Sequence, residues 1–347
     1  MLGSPGQPWK EKYVLQPLVV GLGRSGAGLH MKVLRRLATG DEAPLWAGPL
    51  IGCDPRPGPD RDAPGTVLAA TVGEAARHVR DPERTVVHVC TPPRNRIPLL
   101  TELADSGFRR LVVEKPLAAD LPELDALLAL RDRSGLRIAP VAHWLTAELT
   151  ARLRRIVHEE PFGPLRRITV DQHKPRFARS LATSGHPTAL DVEIPHSLGL
   201  ALHLAGPARL ADAACADLRA GTEVRPLLGG ARVELAHGGG VHTTLRSDLM
   251  SPVRQRTATL RFRDGEVTAH YPLSEEDDHA QLALPGDPYG PRSFRDDALS
   301  AFVRRTYEEF AADRHSPDFA VACETTRLLC DARERCRTAR PFGRGAA

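Results

Sequence analysis

Lys115 is a lysine at a position where a proton-transfer residue is expected. The chain carries 47 basic side chains, and only five of them are lysines. Lys115 lies between the apolar run 111–113 and Pro116. Arginine stays charged at any ordinary pH, whereas a lysine can lower its pKa and exchange a proton. Lys115 is therefore a candidate acid/base residue; the alternative is a strand-end lysine that forms an ion pair with Glu114.

A second chemical signal is the turn GLGRSG at positions 21–26. It follows an apolar run and precedes a helical pattern, which is the context that a dinucleotide-binding GxGxxG motif requires. The three glycines allow a tight turn, a close approach of the backbone to a pyrophosphate, and close packing of helix against strand. Backbone N–H groups at the start of the helix then hold the phosphates. The candidate phosphate-binding residues are Gly21, Gly23, Arg24, Ser25 and Gly26.

An acidic residue ends the second apolar run. Asp54 lies further from Gly26 than the roughly 20 residues usual for the ribose-binding acid, and the insertion ATGDEAPLWAG accounts for the excess. A carboxylate there accepts hydrogen bonds from ribose hydroxyls and repels a 2′-phosphate, which favours NAD(H). Arg56 lies close enough to bind a 2′-phosphate, so NADP(H) stays possible. The alternative for Asp54 is a turn residue before Pro55.

The elements around these residues predict an α/β fold. Residues 17–141 alternate apolar runs at 17–20, 49–53, 85–90, 110–113 and 137–142 with helical patterns. Strands followed by helices indicate a parallel sheet that is covered on both faces. We predict a doubly wound Rossmann sheet in a dinucleotide-binding domain at 12–143.

The pattern changes after about residue 145. A helical segment is followed by long alternating segments typical of antiparallel strands, and Asp264-Gly265 is a hairpin signal between two of them. Residues 274–295 are polar and rich in Gly and Pro, which predicts a surface loop. Helices are predicted near 296–313 and 318–338. We expect an α+β domain at 144–340 with a large, mostly antiparallel open sheet.

Composition excludes several classes of function. No run of 18 apolar residues is present, which argues against a membrane span, and no secretory signal is evident. The net charge of +4 is spread over the chain, whereas nucleic-acid binding requires clustered basic residues. The six cysteines form neither a CxxC pair nor a zinc ligand set. We expect a cytoplasmic protein with no metal, membrane or nucleic-acid partner.

Three motifs together resemble the glucose–fructose oxidoreductase and inositol dehydrogenase family. They are the glycine turn, VCTPP at 89–93 and VVEKPLA at 112–118. The resemblance implies a two-domain NAD(P)-dependent oxidoreductase of sugars, cyclitols or related small molecules. It implies that Thr91, Pro92 and Glu114 border the cofactor and that Lys115 lies beside the nicotinamide. There its pKa should fall, and Pro116 is expected to follow a cis bond.

The resemblance also implies a catalytic histidine. His196 in the segment DVEIPHSLGL matches a family histidine that acts as acid/base for the substrate hydroxyl, and an imidazole can exchange protons near neutral pH. The family's aspartate four residues earlier is replaced by valine here. Glu193 or Asp191 is therefore the possible partner. Pro195 suits the first turn of a helix, which leaves Asp191 in the entry segment.

Other residues are candidates for substrate contact. His143 and Trp144 follow the fifth predicted strand and are expected to line the nicotinamide or substrate pocket, although Trp144 equally fits a core position. Lys174 and Arg176 follow a strand of the second domain, where they reach an anionic or hydroxyl-rich substrate or are solvated.

The leading hypothesis is hydride transfer between nicotinamide and a hydroxyl or ketone carbon of a sugar, amino sugar, cyclitol or related molecule, and specialised biosynthesis is one setting for this reaction. One alternative is a hydrolase or lyase that retains NAD with no net redox change. Another is a non-catalytic NAD-sensing regulator. By analogy with the family, we expect the domain at 144–340 to bind substrate and to mediate oligomerisation, and the protein to form a homodimer or homotetramer.

Overall fold

The computed structural model describes residues 15–39, 46, 48–56, 65–182, 186–274 and 277–338. Within these residues the chain forms two compact units. The first unit contains the described residues up to 118, together with 122–141 and 299–319. The second contains 119–121, 142–298 and the described residues from 320 onward. The segment 299–319 thus belongs to the first unit, whereas the sequence limits of 12–143 and 144–340 place it in the second domain.

The first unit is built on a six-stranded sheet in which every pairing is parallel. This confirms the predicted α/β fold with a doubly wound parallel sheet. The order is β3-β2-β1-β4-β5-β6. β3, a half-buried edge strand of only four residues, was not predicted. The strands are β1 (Gln16–Val20), β2 (Leu50–Cys53), β3 (Thr66–Ala69), β4 (Thr85–Val89), β5 (Arg110–Val113) and β6 (Arg137–Pro140).

The second unit is built on an eight-stranded sheet with the order β14-β13-β12-β11-β7-β10-β9-β8. All pairs are antiparallel except β7 with β10, which confirms the predicted sheet. The strands are β7 (Leu165–His173), β8 (Ala208–Ala220), β9 (Glu223–His237), β10 (His242–Asp248), β11 (Gln255–Phe262), β12 (Glu266–His270), β13 (His279–Ala283) and β14 (Arg292–Arg295).

Two features of this sheet test the local predictions. The hairpin at Asp264-Gly265 is confirmed, since Phe262 N–H donates to Gly265 O at 2.8 Å between β11 and β12. The predicted surface loop at 274–295 is wrong in part, because it contains β13 and β14. Both strands are short, with five and four residues, and they lie in a stretch rich in polar residues, Gly and Pro, where strands of this length are not recognised.

Helices cover the two sheets. The segment Gly26–Met31 winds as a π-helix and continues into α1. The helices are α1 (Lys32–Ala38), α2 (Val72–Ala76), α3 (Arg96–Asp105), α4 (Leu121–Ser134), α5 (Glu148–Glu159), α6 (Phe177–Ala182), α7 (Ile194–Ala205), α8 (Ala298–Ala311) and α9 (Phe319–Thr338). In the first unit, Phe302, Tyr307 and Phe310 of α8 pack into the same core as the strands β1, β4 and β5. In the second unit, residues of α5, α7 and α9 share one core with the large sheet.

A distant carboxylate caps α5. Asp296 is 5% exposed, and its two oxygens accept the backbone N–H groups of Glu148 and Leu149 at 2.9 and 3.0 Å. These N–H groups have no acceptor within the helix, because they lie in its first turn. Asp296 therefore satisfies two donors that would otherwise be buried without a partner.

We predict that Asp296→Ala lowers the free energy of unfolding by about 1–3 kcal/mol, the cost of leaving buried donors unsatisfied. Urea denaturation followed by circular dichroism measures this change. Asp125→Ala, at an exposed position of α4, is the control and should have little effect. Equal losses of stability in the two variants would contradict the capping role.

Candidate functional site

The first unit places the predicted cofactor residues at one edge of its sheet. The order of the strands reverses between β1 and β4, and open α/β sheets bind ligands beyond the carboxyl ends of the strands at such a switch point. The glycine turn follows β1, Asp54 follows β2, Thr91 follows β4 and Glu114 follows β5.

Two glycines of the turn are required by the backbone. Gly21 has a φ of +89°, and its N–H donates to Cys53 O at 2.8 Å. A Cβ atom on Gly26 would lie 1.9 Å from the carbonyl oxygen of Gly21, so only glycine fits there. This close approach holds the start of the π-helical turn against the end of β1.

The turn also offers the surroundings that a dinucleotide requires. A Cβ atom built on Gly23 meets nothing within 4 Å, so the backbone there faces open space. Next to Gly21, the hydroxyl oxygen of Thr91 is buried, and it has no hydrogen-bond partner among the described residues. A bare glycine backbone and an unsatisfied hydroxyl group are what a pyrophosphate or ribose would contact. The residues therefore fit a bound dinucleotide.

Asp54 is fixed against the glycine turn. Its Oδ2 accepts the N–H of Leu22 at 2.8 Å and its Oδ1 accepts the N–H of Arg56 at 2.9 Å. The guanidinium of Arg56 lies 3.6 Å from the same carboxylate, and its side chain is 86% exposed. The aspartate thus joins the ends of β1 and β2, while the arginine extends into solvent.

The carboxylate of Glu114 connects the glycine turn to the Glu-Lys-Pro segment. It accepts hydrogen bonds from the hydroxyl of Ser25 and from the backbone N–H of Lys115, the latter at 3.2 Å. His30 Nε2 lies 3.3 Å from its Oε1. Burial alone would raise the pKa of Glu114, but the hydrogen bond and charge of His30 and the charge of Lys115 lower it to about 2. Glu114 is therefore ionised at any working pH.

Behind Glu114 lies a buried row of polar side chains that the sequence analysis missed. His30 and His88 are 1% and 0% exposed, and their Nδ1 atoms are 2.7 Å apart. His88 Nε2 is 3.0 Å from the hydroxyl of Tyr307 on α8. Burial lowers the pKa of His30, but the neighbouring Cys90 and Glu114 raise it to about 10. Burial and the charge of His30 lower the pKa of His88 well below its usual value.

Arg96 fixes the two loops that follow β4 and β5. Its guanidinium donates to four backbone carbonyl groups and its side chain is 2% exposed; the acceptors are Thr91 O, Glu114 O, Pro116 O and Leu117 O, at 2.5, 2.8, 2.8 and 3.1 Å. The peptide bond between Lys115 and Pro116 is cis, as the resemblance implied. Burial lowers the pKa of Arg96 to about 10, which leaves it charged at neutral pH. Arg96 thus determines the path of the backbone on both sides of half-buried Lys115.

The second unit places His196 among aromatic rings. His196 is half-buried in the first turn of α7, together with Pro195. Its ring centroid is 4.9 Å from that of His143 and 5.7 Å from that of Trp144, which stacks on it at 18°. Trp144 also stacks on Tyr271, with the ring centroids 4.2 Å apart. Trp144 is only 4% exposed and belongs to the core, the alternative that the sequence left open.

The side chain of Glu193 binds neighbours on β7 and just beyond it. Its Oε2 accepts the amide of Gln172 at 3.1 Å, and its Oε1 forms an ion pair with Lys174. Gln172 in turn accepts the hydroxyl of Ser197 on α7. The carboxylate is 8% exposed, so this group of four polar side chains is largely buried beside His196. Glu193 contacts His196 through its backbone, since His196 N–H donates to Glu193 O at 3.1 Å.

Asp191 has a different set of partners. Its Oδ2 accepts the N–H and the hydroxyl of Thr188 at 2.9 and 2.8 Å, and its Oδ1 forms an ion pair with Arg333 of α9. The carboxylate is 4% exposed. This arrangement supports a structural role at the entry to α7 rather than contact with substrate. Arg176, another candidate for substrate contact, is 7% exposed.

The residues that sequence reasoning missed gave weak signals. His30 and His88 lie within apolar stretches, where a buried histidine cannot be distinguished from a packed one without its partners. Tyr307 comes from a helix far along the chain.

Among the described residues no helix is long and apolar enough to cross a membrane. In the same part of the chain, no group of three or more His, Cys, Asp or Glu side chains could hold a metal ion.

Comparison with known proteins identifies the fold. No protein-family model and no curated protein sequence matches the chain. Solved structures do match. One is KijD10, a 3-ketoreductase from Actinomadura kijaniata in complex with NADP and TDP-benzene; it has a TM-score of 0.75 and 14% identity over 93% of this chain and 98% of that chain.

Two further structures are similar. UDP-N-acetylglucosamine 3-dehydrogenase GnnA from Acidithiobacillus ferrooxidans has a TM-score of 0.66 and 18% identity over 94% of this chain and 97% of its own. A levoglucosan dehydrogenase in complex with NADH and levoglucosan has a TM-score of 0.72 and 14% identity over 93% and 97%. At these identities the likeness establishes the fold. The chain has the two-domain fold of these NAD(P)-dependent oxidoreductases, as the sequence motifs implied.

We predict that Asp191→Asn lowers the free energy of unfolding by about 3–5 kcal/mol, because it leaves the guanidinium of Arg333 buried without its charge partner. Chemical denaturation measures the effect. Asp212→Asn is a matched control, because Asp212 of β8 pairs with Arg335 on the same helix as Arg333. It breaks the pair with Arg335, in which both side chains are more than half exposed, and such pairs contribute about 0–1 kcal/mol. A loss in Asp191→Asn no larger than in the control would contradict the structural role.

Proposed function

We propose that this protein is an NAD(P)-dependent oxidoreductase that transfers a hydride between nicotinamide and the hydroxyl or ketone carbon of a sugar, amino sugar, cyclitol or related small molecule. The observation that carries the proposal is the set of contacts at Glu114. One carboxylate is bonded to Ser25 of the glycine turn and to the backbone of Lys115, so the loop suited to a dinucleotide and the candidate proton-transfer residue are joined.

The glycine turn, Thr91 and Pro92 would hold the cofactor. Gly21 and Gly26 allow the close packing of the turn, and Gly23 leaves its backbone facing open space. Arg24 extends from the same turn as an exposed cation suited to a phosphate. The cofactor, when bound, supplies or accepts the hydride. The protein's own contribution is to orient the reactants and to move the proton.

Lys115 and His196 are proposed to exchange the proton of the substrate hydroxyl. Both side chains are half-buried. Each is therefore held by neighbouring residues and is still accessible to a bound molecule. Trp144 and His143 fix the orientation of the His196 ring through their ring contacts. General acid–base catalysis of this kind contributes typically 10²- to 10⁴-fold to the rate.

Two observations support the proposed substrate class: the similar structures and the polar group beside His196. The three similar proteins are described as a 3-ketoreductase, a UDP-N-acetylglucosamine 3-dehydrogenase and a levoglucosan dehydrogenase. In this chain Lys174 carries a charge held by Glu193, and a hydroxyl-rich molecule offers it oxygen acceptors. His143, Lys174 and Arg176 are proposed to contact or frame that substrate.

We further propose a cytoplasmic homodimer or homotetramer. All six cysteines are free thiols, which supports a reducing compartment. The side chains of β10 alternate between buried and more accessible positions, so the large sheet has one face turned away from the core that a second copy of the chain would cover.

We predict that Lys115→Met and His196→Gln each lower kcat/KM by about 10²- to 10⁴-fold, because each removes a proton-transfer group. Turnover is followed as NADH or NADPH absorbance with a panel of keto sugars, sugars and cyclitols. Calorimetry should show that both variants still bind the dinucleotide. Lys32→Met and His78→Gln, at exposed positions of the first unit, are the controls. Unimpaired turnover in both site variants would reject the proposed chemistry.

The charge of Asp54 predicts which dinucleotide is preferred. A carboxylate at this position repels a 2′-phosphate, so wild-type protein should bind NADH more tightly than NADPH. Asp54→Ser should lower the ratio of the NADPH to the NADH dissociation constant by about tenfold, equivalent to about 1.4 kcal/mol. Calorimetric titration of both dinucleotides measures the ratio. Tighter binding of NADPH by the wild type, lost in Arg56→Gln, would instead assign the specificity to Arg56.

A further inference from the structure

The buried row formed by His30, His88 and Tyr307 has no part in the reaction as proposed above. Two histidines and a tyrosine are an unusual group in an interior, because a polar group removed from water destabilises the fold unless it is hydrogen-bonded. The row ends at Glu114, whose carboxylate faces both the glycine turn and Lys115.

We propose that His30 is a positioning residue of this site: it holds Glu114 as a fixed carboxylate, and Glu114 in turn fixes Ser25 of the glycine turn and the backbone of Lys115. The inference rests on the proposed oxidoreductase function and deepens it. In this proposal, a buried histidine fixes the position of the dinucleotide-binding turn relative to the proton-transfer residue Lys115.

The geometry requires a defined set of protons. When His30 donates from Nε2 to Glu114, its Nδ1 remains 2.7 Å from Nδ1 of His88, and one of these two nitrogens must carry a proton. If His30 carries both protons, His88 accepts at Nδ1 and donates from Nε2 to the hydroxyl of Tyr307. His88 is then neutral, so the row places no second positive charge in the interior.

The charges around Glu114 favour this arrangement. Facing the row are groups from the π-helical turn, from β4 and β5 and the loops after them, and from α3 and α8. His30 and Lys115 are the cations nearest the carboxylate, and Arg96 donates to the backbone carbonyl group of the same residue. The titratable and charged groups of the cluster are His30, His88, Cys90, Arg96, Lys115 and Tyr307.

Loss of His30 therefore has a consequence beyond a missing contact. Burial raises the pKa of Glu114, and the hydrogen bond from His30 is the largest influence that opposes it. Without His30, the carboxyl group takes up a proton at higher pH. A protonated Glu114 accepts less strongly from Ser25 and from Lys115 N–H, since hydrogen bonds to an ionised acceptor are about twice as strong as neutral ones.

The test uses His30→Leu, His30→Gln, Glu114→Gln and the double variant His30→Leu/Glu114→Gln of the full chain. NADH and NADPH binding is measured by calorimetry between pH 5.5 and 8.5, and the pH profile of kcat/KM with the best substrate of the panel. His78→Leu, an exposed histidine of the same unit, is the control. Should His30→Leu fail to fold, His30→Gln carries the test, because its amide retains one donor to Glu114.

For the wild type and the control we expect dinucleotide affinity that changes little with pH. His30→Leu should bind about tenfold more weakly, with affinity that falls further as the pH is lowered, and with the acid limb of the kcat/KM profile moved to higher pH. His30→Gln should recover part of the affinity. The double variant should be no weaker than Glu114→Gln, because both changes remove the same interaction.

Three results would overturn the inference. Additive losses in the double variant would show that His30 acts independently of Glu114. Unchanged binding and an unchanged pH profile in His30→Leu and His30→Gln would show that His30 only fills space. If the wild type itself binds neither NADH nor NADPH, the proposed function fails and this inference fails with it, whereas the first two results reject the inference alone.

Discussion

The site in the first unit depends on one buried carboxylate and the charges that keep it ionised. Glu114 directly follows β5, and its side chain is 15% exposed. An ionised carboxylate in such surroundings is unfavourable unless it is paired and hydrogen-bonded. His30, Lys115 and the hydroxyl of Ser25 provide that pairing. Because its partners come from the turn after β1 and from the residue after β5, satisfying this single charge also brings two distant segments together.

The surroundings of this carboxylate are rigid for separate reasons. Gly26 meets the carbonyl oxygen of Gly21 so closely that the turn has no alternative packing, and Arg96 joins the loops after β4 and β5 through four carbonyl groups. In the second unit, Trp144 stacks on both His196 and Tyr271 and thereby supports the imidazole. Sites held by packing and by hydrogen bonds to neighbouring residues keep the precise geometry that proton transfer requires.

Local patterns in the sequence predicted most of the fold. The glycine turn lies between an apolar strand and a helix, and the alternating segments after residue 200 give regular antiparallel strands, so both signals are short-range and strong. The short strands β3, β13 and β14 were missed because four or five residues are too few for a strand pattern to be recognised. The return of α8 to the first unit was missed as well, since an amphipathic helix does not specify which core it joins.

The candidate site was predicted less completely. Glycines, the Glu-Lys-Pro segment and His196 have recognisable types and spacing, and they could be proposed from sequence. The partner of a carboxylate decides whether it positions a catalytic group or stabilises the fold. The partner of Asp191 is Arg333, which lies far along the chain. Similarly, His30, His88 and Tyr307 are separated by 58 and 219 residues. Contacts between residues so distant in sequence follow from the topology and not from any local pattern.

The most direct measurement of the central interaction is the protonation state of His30. In protein labelled with ¹⁵N at histidine, the imidazole nitrogens are observed by NMR between pH 6 and 9, and His30→Gln assigns the signals. The account predicts that His30 keeps both ring protons across this range, consistent with a pKa of about 10, while His88 is neutral with its proton on Nε2. A neutral His30 at pH 7, or one that titrates like an exposed histidine, would contradict it.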